Sequence, residues 1–295
     1  MLHWHRLSIG IPASTLPETE AALYALGALS LSLKDAADQP LLEPAPGETP
    51  LWDHLVIEAL FDADIPQDSL LKQLMQHLPG LQPDQIHCSI VEDQAWERVW
   101  MDRFKPMRFG RRLWIYPSHH QPPADDRVAV LLDPGLAFGS GTHATTAMCL
   151  QWLDAQNLKG KTILDYGCGS GVLAIAALRL GAAGAYALDI DEQALTATQA
   201  NAALNGVSDR IKIDQAGSRT IVEADIVLAN IISSVLLSLR QTLTSATSGG
   251  GRLIISGILP DQAPEIRRAY GNDFDVTGEL QQQDWVLLEL EKKRR

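Results

Sequence analysis

Three glycines at alternate positions give the strongest chemical signal in this sequence. They lie in Asp165-Tyr-Gly167-Cys-Gly169-Ser-Gly171, directly after an apolar run, residues 162–164, that is typical of a β-strand. Glycines at a strand end let a ligand approach the backbone closely, and the helix that follows offers unpaired N–H groups. The spacing differs from the GxGxxG of dinucleotide enzymes, and a carboxylate at Asp165 would repel a pyrophosphate. The loop therefore favours a ligand with a positive end, such as the amino group of a methionyl moiety.

A second acid strengthens this interpretation. Asp189 ends the next predicted strand, AYALD at 185–189, where a carboxylate can accept both hydroxyls of a ribose. Asp191 competes for this role, but it is less well aimed, and we expect it to cap the following helix. The glycine loop and the two acids, each at the end of a predicted strand, together favour a methyltransferase that uses S-adenosylmethionine over a nicotinamide dehydrogenase.

Asn230 ends the strand-like run ADIVLAN and is the candidate for the reacting centre. Ligands of open α/β sheets bind beyond the carboxyl ends of the strands, so we expect Asn230 to lie beside the reacting methyl group. The residues after it, Ile-Ile-Ser, offer no aromatic ring to stack on a planar acceptor, which disfavours the amino groups of nucleobases and glutamine amides. The alternative is a polar strand end that makes only a structural hydrogen bond.

Residues that bind metals are present but badly spaced. His143 lies in the glycine-rich segment DPGLAFGSGTHATT at 133–146, which is typical of a tight loop over a cofactor. No second histidine or acid stands at metal spacing, so we predict a packing role for His143. His119 and His120 are expected in a surface loop. The three cysteines form no CxxC pair, and the sequence therefore predicts no metal site.

Composition places the chain among globular proteins. It has 295 residues, of which 46% are hydrophobic, and a formal net charge of −12. That acidity argues against binding to naked DNA, and the absence of a long apolar run or a signal peptide predicts a cytoplasmic protein without membrane contact. Six basic residues between 98 and 112 are the exception. They form either a solvated connector or a surface that ribosomal RNA could meet incidentally.

The elements that must position these residues fall into two groups. Residues 1–92 predict the order βαββαβ, which fits a ferredoxin-like domain, with a capping box of Thr15 and Glu18 at the first helix. Residues 93–124 predict a connector that contains a short helix at 96–104 and a strand at 112–116. From 125 to 295 strand-like and helical runs alternate, which indicates a doubly wound, mostly parallel sheet whose last strand runs antiparallel.

Taken together, the segments resemble the ribosomal protein L11 methyltransferase family, and the resemblance covers nearly the whole chain. The DPGLAFG motif is more specific than the glycine loop, which methyltransferases of this class share. The matching stretches are LLEPAPGETPLW, WERVWMDRFKPMRFG, DPGLAFGSGTHATT, LDYGCGSGVLAIAALRLGA, LDIDEQAL and the ANI at 229–231.

This resemblance implies a seven-stranded Rossmann-like class I methyltransferase domain after a ferredoxin-like domain that grips the substrate protein. It implies methylation of lysine side chains and of the N-terminal α-amine of ribosomal protein L11, free or on the large subunit, with S-adenosylmethionine as cofactor. The cofactor-binding residues assigned on this pattern are Thr146, Gly167, Gly169, Asp189 and Asn230. Departures at Ser140, at Ala144 and after Ile231 leave the cofactor site intact and bear on the acceptor pocket.

We hypothesise that Asn230 is the catalytic residue and that its side-chain oxygen or backbone carbonyl accepts an N–H of the substrate amine. The amine must be neutral to attack, and near pH 7.4 this costs roughly 4 kcal/mol for a lysine but well under about 1 kcal/mol for an α-amine. Two alternatives remain: a methyltransferase for another protein or a small amine, and a ribosome-binding factor without catalysis. The complete glycine and acid pattern argues against the second.

Overall fold

The structure is a computed structural model that describes residues 3–37, 39, 49–92, 105–133, 141–217 and 222–294. Contacts divide the chain into two compact units, Met1–Val99 and Trp100–Arg295. The predicted helix at 96–104 and the middle of the loop at 133–146 lie outside the described residues. No helix in the described ranges is long and apolar enough to cross a membrane.

The first unit has the predicted order βαββαβ, with four antiparallel strands arranged β2-β3-β1-β4. Alternate residues of the central strands are buried, because successive side chains of a strand point to opposite faces. Leu7 and Ile9 of one strand and Ile57 of its neighbour pack with Leu23 and Leu74 of the two helices. The elements are β1 His3–Pro12, α1 Leu16–Ala25, β2 Ser30–Asp35, β3 His54–Asp62, α2 Gln67–His77 and β4 Ile86–Glu92.

The predicted capping box at α1 is wrong. Thr15 is the N-cap residue, but its side chain makes no cap hydrogen bond. Its hydroxyl instead donates to the carbonyl of Pro12 at 3.0 Å, because a short 3-10 turn, Ala13–Thr15, brings that carbonyl within reach. The hydroxyl therefore stabilises the turn that leads into the helix.

The described part of the predicted connector, residues 105–124, contributes to the second unit. Its strands β5 Met107–Phe109 and β6 Leu113–Pro117 form a three-stranded sheet with β7 Val128–Leu132. Leu113 and Ile115 are fully buried in the core of that unit. Burial of these apolar side chains in the core of the second unit is stabilising, so this part of the chain is packed firmly against that unit.

A seven-stranded mixed sheet forms the centre of the second unit. Its order is β10-β9-β8-β11-β12-β14-β13; the first five strands are parallel, β14 runs antiparallel to them, and β13, which pairs antiparallel with β14, runs in the direction of the first five. The predicted antiparallel direction of the last strand is therefore confirmed. The elements are α3 Ala144–Ala155, β8 Thr162–Tyr166, α4 Val172–Arg179, β9 Gly184–Asp189, α5 Glu192–Leu204, β10 Ile211–Gln215, β11 Ala224–Asn230, α6 Ser233–Ser238, α7 Arg240–Ala246, β12 Thr247–Ile258, α8 Ala263–Tyr270, β13 Phe274–Gln282 and β14 Trp285–Lys292.

Helices cover both faces of this sheet. Ile226 and Leu228 of β11 belong to one core cluster, with residues of α3 and α4, whereas Val227 belongs to a second cluster. The second cluster contains Leu236 and Ile266 from the helices after β11. Parallel strands buried on both faces leave only their ends free for polar side chains, so any ligand site must lie at those ends.

Candidate cofactor and catalytic site

The glycine loop lies between β8 and α4 in the backbone conformation that favours glycine. The φ angles of Gly167, Gly169 and Gly171 are +78°, +54° and +76°. An added Cβ on Gly167 would lie 2.6 Å from Cγ2 of Ile231, closer than two carbon atoms can approach. Both the positive φ angle and the lack of room for a side chain therefore require glycine at position 167.

Asp189 ends β9 beside this loop. One carboxylate oxygen accepts the N–H of Gly169 at 2.9 Å, and the other accepts the N–H of Asp191 at 3.1 Å. The structure thus brings together two residues that the sequence assigned to the cofactor. Asp191 itself caps α5, because its side chain accepts the N–H of Gln193 at 2.9 Å, which confirms the role predicted for it.

Asn230 and Thr146 are in direct contact, although 84 positions separate them in the chain. Nδ2 of Asn230 donates to the hydroxyl of Thr146 at 3.2 Å. Thr146 is buried in the first turn of α3, and Asn230 is half-buried at the end of β11. In the described part of the chain, no group donates to Oδ1 of Asn230. The side-chain nitrogen of Asn230 therefore makes a structural hydrogen bond, as the alternative for a polar strand end expected. The side-chain oxygen remains able to accept another hydrogen bond.

Asp165 is almost completely buried, and its carboxylate accepts the N–H of Ala174 at 3.1 Å. Burial raises the pKa of Asp165 to about 7; the Ala174 N–H opposes this shift, and the charge of nearby Asp189 adds to it. The carboxylate therefore anchors the start of α4. The predicted contact with the positive end of a ligand stays a prediction.

Helix α5 holds the glycine loop through polar side chains that were not predicted from the sequence. The hydroxyl of Thr198 donates to the carbonyl of Gly169, and Nδ2 of Asn201 donates to the carbonyl of Ser170, both at 2.9 Å. Oδ1 of Asn201 also accepts the N–H of Asp133 at 3.0 Å, so this buried amide joins the loop to the end of β7. The signal was a polar stripe at positions i, i+3 and i+7, Thr198, Asn201 and Asn205, in a helix that is otherwise rich in alanine.

Ile231 is held between two glycines. Its side chain lies against Gly167, and its backbone lies so close to Gly257 that a Cβ there would approach the Ile231 carbonyl oxygen to 2.7 Å. Gly257 also has a positive φ of +85°. The residue next to Asn230 is therefore fixed from both sides, and this packing positions the strand end. Gly257 was not predicted from the sequence.

The histidines behave as packing and surface residues. The ring of His143 lies edge-on to Trp285 at 5.0 Å, and its Nδ1 is 2.8 Å from the Thr145 hydroxyl. Burial lowers the pKa of His143, which favours the neutral ring. His119 and His120 are exposed. Within the described ranges no three histidine, cysteine or acidic side chains form a group that could hold a metal ion.

Described arginines of the basic segment between residues 98 and 112 make contacts within the protein. Arg108 donates to the carbonyl of Arg111 at 3.0 Å, and Arg112 lies 3.8 Å from the carboxylate of Asp154. Asp154 is buried and also accepts backbone N–H groups of the β5–β6 turn, including that of Leu113 at 3.1 Å. The turn thus has an internal structural partner, and contact of its exposed arginines with RNA stays a prediction.

The large mixed sheet, its covering helices and the polar groups at adjacent strand ends define an α/β protein of the methyltransferase type. The family model described as "Ribosomal protein L11 methyltransferase (PrmA)" matches residues 3–293. This chain belongs to that family.

Individual relatives agree with the family model. A ribosomal protein L11 methyltransferase of Ectopseudomonas mendocina is 48% identical over 97% of this chain and 98% of its own length. One of Azotobacter vinelandii is 47% identical over 97% of this chain and 98% of its own. The crystal structure of a ribosomal protein L11 methylase from Lactobacillus delbrueckii subsp. bulgaricus is 35% identical, has a TM-score of 0.60, and covers 65% of this chain and all of its own.

Proposed function

We propose that this protein transfers methyl groups from S-adenosylmethionine to amines of ribosomal protein L11, at lysine side chains and at the N-terminal α-amine. The observation that carries the chemistry is the convergence of the glycine loop, Asp189 and Asn230 at the ends of three neighbouring parallel strands. Family membership supports the substrate. The substrate is taken free or on the large subunit, in the cytoplasm where ribosomes are assembled, and neither DNA nor a membrane takes part.

The two units have separate roles in this proposal. The second is a seven-stranded Rossmann-like class I methyltransferase domain, residues 125–295, and the sheet order with β14 antiparallel between β12 and the edge strand β13 supports that assignment. The first, residues 1–92, is a ferredoxin-like substrate-recognition domain, supported by the βαββαβ order and the strand order β2-β3-β1-β4. Residues 93–124 connect them, and 105–124 pack with the second unit.

The residues present fit an adenosyl cofactor. A side chain on Gly167 would clash with Ile231, which follows the end of β11. The loop backbone therefore lies close to the strand ends and has no side chain at this position. Gly167 and Gly169 would receive the cofactor against this backbone, Asp189 would accept the ribose hydroxyls, and Thr146 would lie beside Asn230. When bound, the cofactor supplies an electrophilic methyl group on a sulfonium.

Asn230 positions the substrate amine. A neutral amine still carries N–H bonds, and Oδ1 of Asn230 accepts one of them, which directs the nitrogen lone pair. The hydroxyl of Thr146 holds the Asn230 amide in that orientation through the 3.2 Å hydrogen bond. Holding both reactants in one geometry accounts for much of the acceleration in favourable cases, about 7–11 kcal/mol. A desolvated pocket additionally lowers the pKa of a lysine and raises its neutral fraction.

The test is the Asn230→Ala variant in a methyl-transfer assay with purified ribosomal protein L11. We expect turnover to fall by about 10²-fold, the effect of losing one oriented polar contact at a reacting centre, while cofactor affinity falls only modestly. Asn157→Ala, which changes an asparagine between α3 and β8 away from the strand ends, is the matched control. Unchanged turnover in Asn230→Ala would remove Asn230 from the mechanism.

Substitutions of Thr146 distinguish a catalytic role of Asn230 from a purely structural one. Thr146→Val removes the hydroxyl that holds the amide, and we expect turnover to fall less than in Asn230→Ala because Oδ1 is still present. Thr146→Ser keeps the hydroxyl and should restore turnover. If Thr146→Val and Asn230→Ala lose the same stability and neither loses turnover, their contact is structural only.

A further inference from the structure

The first unit contains a cavity of about 250 Å³ between the end of β1, the first turns of α1 and the segment that follows α2. Its apolar walls include Ile11, Leu78 and Leu81, each less than 10% exposed. Among the described residues, Glu18 is the one charged residue that lines it. The cavity thus combines an apolar floor with a single carboxylate.

The pairing of β1 explains why the cavity is open. Strand β4 pairs with β1 only as far as Ile9 opposite Ile86. On the other side, β3 continues to pair as far as Pro12 opposite His54. Residues 10–12 therefore have a strand neighbour on one edge only, and the other edge borders the cavity.

Glu18 is exposed, and no described residue forms a hydrogen bond or ion pair with its side chain. It lies in the first turn of α1, where the helix dipole contributes a partial positive charge of about one half. The full negative charge of the carboxylate exceeds that partial charge, so the cavity is negative overall. A ligand that fits has an apolar stem and a cationic end, which describes a lysine or arginine side chain.

Charge complementarity identifies the kind of molecule that carries this side chain. Among residues 1–92 the sequence has 13 acidic and three basic residues, so this part of the chain holds −10 of the net −12. Such a field attracts basic proteins and speeds their encounter. Ribosomal proteins that contact RNA are basic for the reason that phosphate contacts dominate RNA affinity.

We propose that this cavity is a docking pocket for a lysine or arginine side chain of the protein that is methylated. The stem of that side chain packs on Ile11, Leu78 and Leu81, and its cationic end pairs with the Glu18 carboxylate. The inference rests on the proposed function and adds to it a point of attachment in the first unit, separate from the glycine loop of the second.

The experiment compares Glu18→Gln with Glu20→Gln in the full-length protein. Both variants remove one negative charge from the same helix, but Glu20 does not line the cavity. KM for ribosomal protein L11, kcat and the dissociation constant of S-adenosylmethionine are measured for each, at low and at high salt. Glu18→Lys and Glu20→Lys repeat the comparison with the charge reversed.

We expect Glu18→Gln to raise KM for the protein substrate by about two- to fivefold relative to Glu20→Gln, which is the size of one exposed ion pair. Glu18→Lys should raise it further, kcat and cofactor affinity should not change, and the difference should shrink at high salt. Equal KM values for the Glu18 and Glu20 variants overturn the docking pocket. If the wild-type protein does not methylate the substrate at all, the proposed function itself fails, so the two failures are distinguishable.

Discussion

Replacing Gly167 by alanine tests the geometry on which the cofactor site depends. Two effects add at this position: a φ of +78°, which costs an L-residue roughly 1–2 kcal/mol, and a Cβ only 2.6 Å from Cγ2 of Ile231. Relieving such a contact in a packed region costs about 1–3 kcal/mol. Ile231 can move little, because its backbone lies against Gly257.

Gly160 provides the matched control for this substitution. Its φ is +77°, and a Cβ added there meets nothing within 4 Å. Gly160→Ala therefore carries the backbone cost alone, and the difference between the two variants isolates the contact with Ile231. We take that difference as about 2 kcal/mol, which for a unit of this size corresponds to a further fall in Tm of about 4–8 °C.

The assay is thermal unfolding of both variants, together with calorimetric titration of S-adenosylmethionine. We expect Gly167→Ala to melt below Gly160→Ala and to bind the cofactor more weakly, because the loop backbone and Ile231 are pushed apart. Gly160→Ala should bind the cofactor like the wild type. If the two variants have equal Tm values and both keep wild-type affinity, the close approach of the loop to Ile231 is not what requires glycine.

Three further predictions follow from the same site. Asn201→Ala should lower the free energy of unfolding by about 1–3 kcal/mol and should also lower cofactor affinity. Thr196→Ala, on the exposed side of α5, should change neither. If calorimetry gives Asn201→Ala the cofactor affinity of the wild type, this prediction is wrong. Asp189→Ala should weaken cofactor binding, and unchanged affinity would mean that the cofactor is misplaced. The raised pKa of Asp165 means that the folded state binds a proton more tightly than the unfolded state, so stability should fall as pH rises from about 4 to about 7, by at most about 1.4 kcal/mol per pH unit. Denaturation across that range should show the decline in the wild type and a smaller one in Asp165→Asn.

The order of elements in the first unit could be predicted where polar and apolar residues alternate. In β2, Leu31 and Leu33 are half-buried between the exposed residues Ser30, Ser32 and Lys34, and the sequence shows the same alternation. The capping box failed because sequence spacing does not reveal the competing acceptor, the Pro12 carbonyl. In the second unit, β13 was not predicted; it is an edge strand in which only Phe274 is buried, whereas Val276 and Leu280 are exposed.

The site was predictable one residue at a time but not as an assembly. Strand ends identified Asp189 and Asn230, because the ends of parallel strands meet at one edge of a sheet. The Thr146 to Asn230 contact joins residues 84 positions apart and depends on how α3 packs on the sheet. Asn201 was missed because an asparagine inside a helix is typically on the surface, whereas here it is buried and satisfied by two backbone segments.

The most direct test of the account measures the intact mass of purified ribosomal protein L11 during incubation with this enzyme and S-adenosylmethionine. The structure predicts that the mass rises in whole methyl increments and that peptide mapping places them on lysine side chains and the N-terminal amine. A substrate whose mass stays constant, or methyl groups found on residues without an amine, would contradict the assignment of Asn230 and its neighbours to amine methylation.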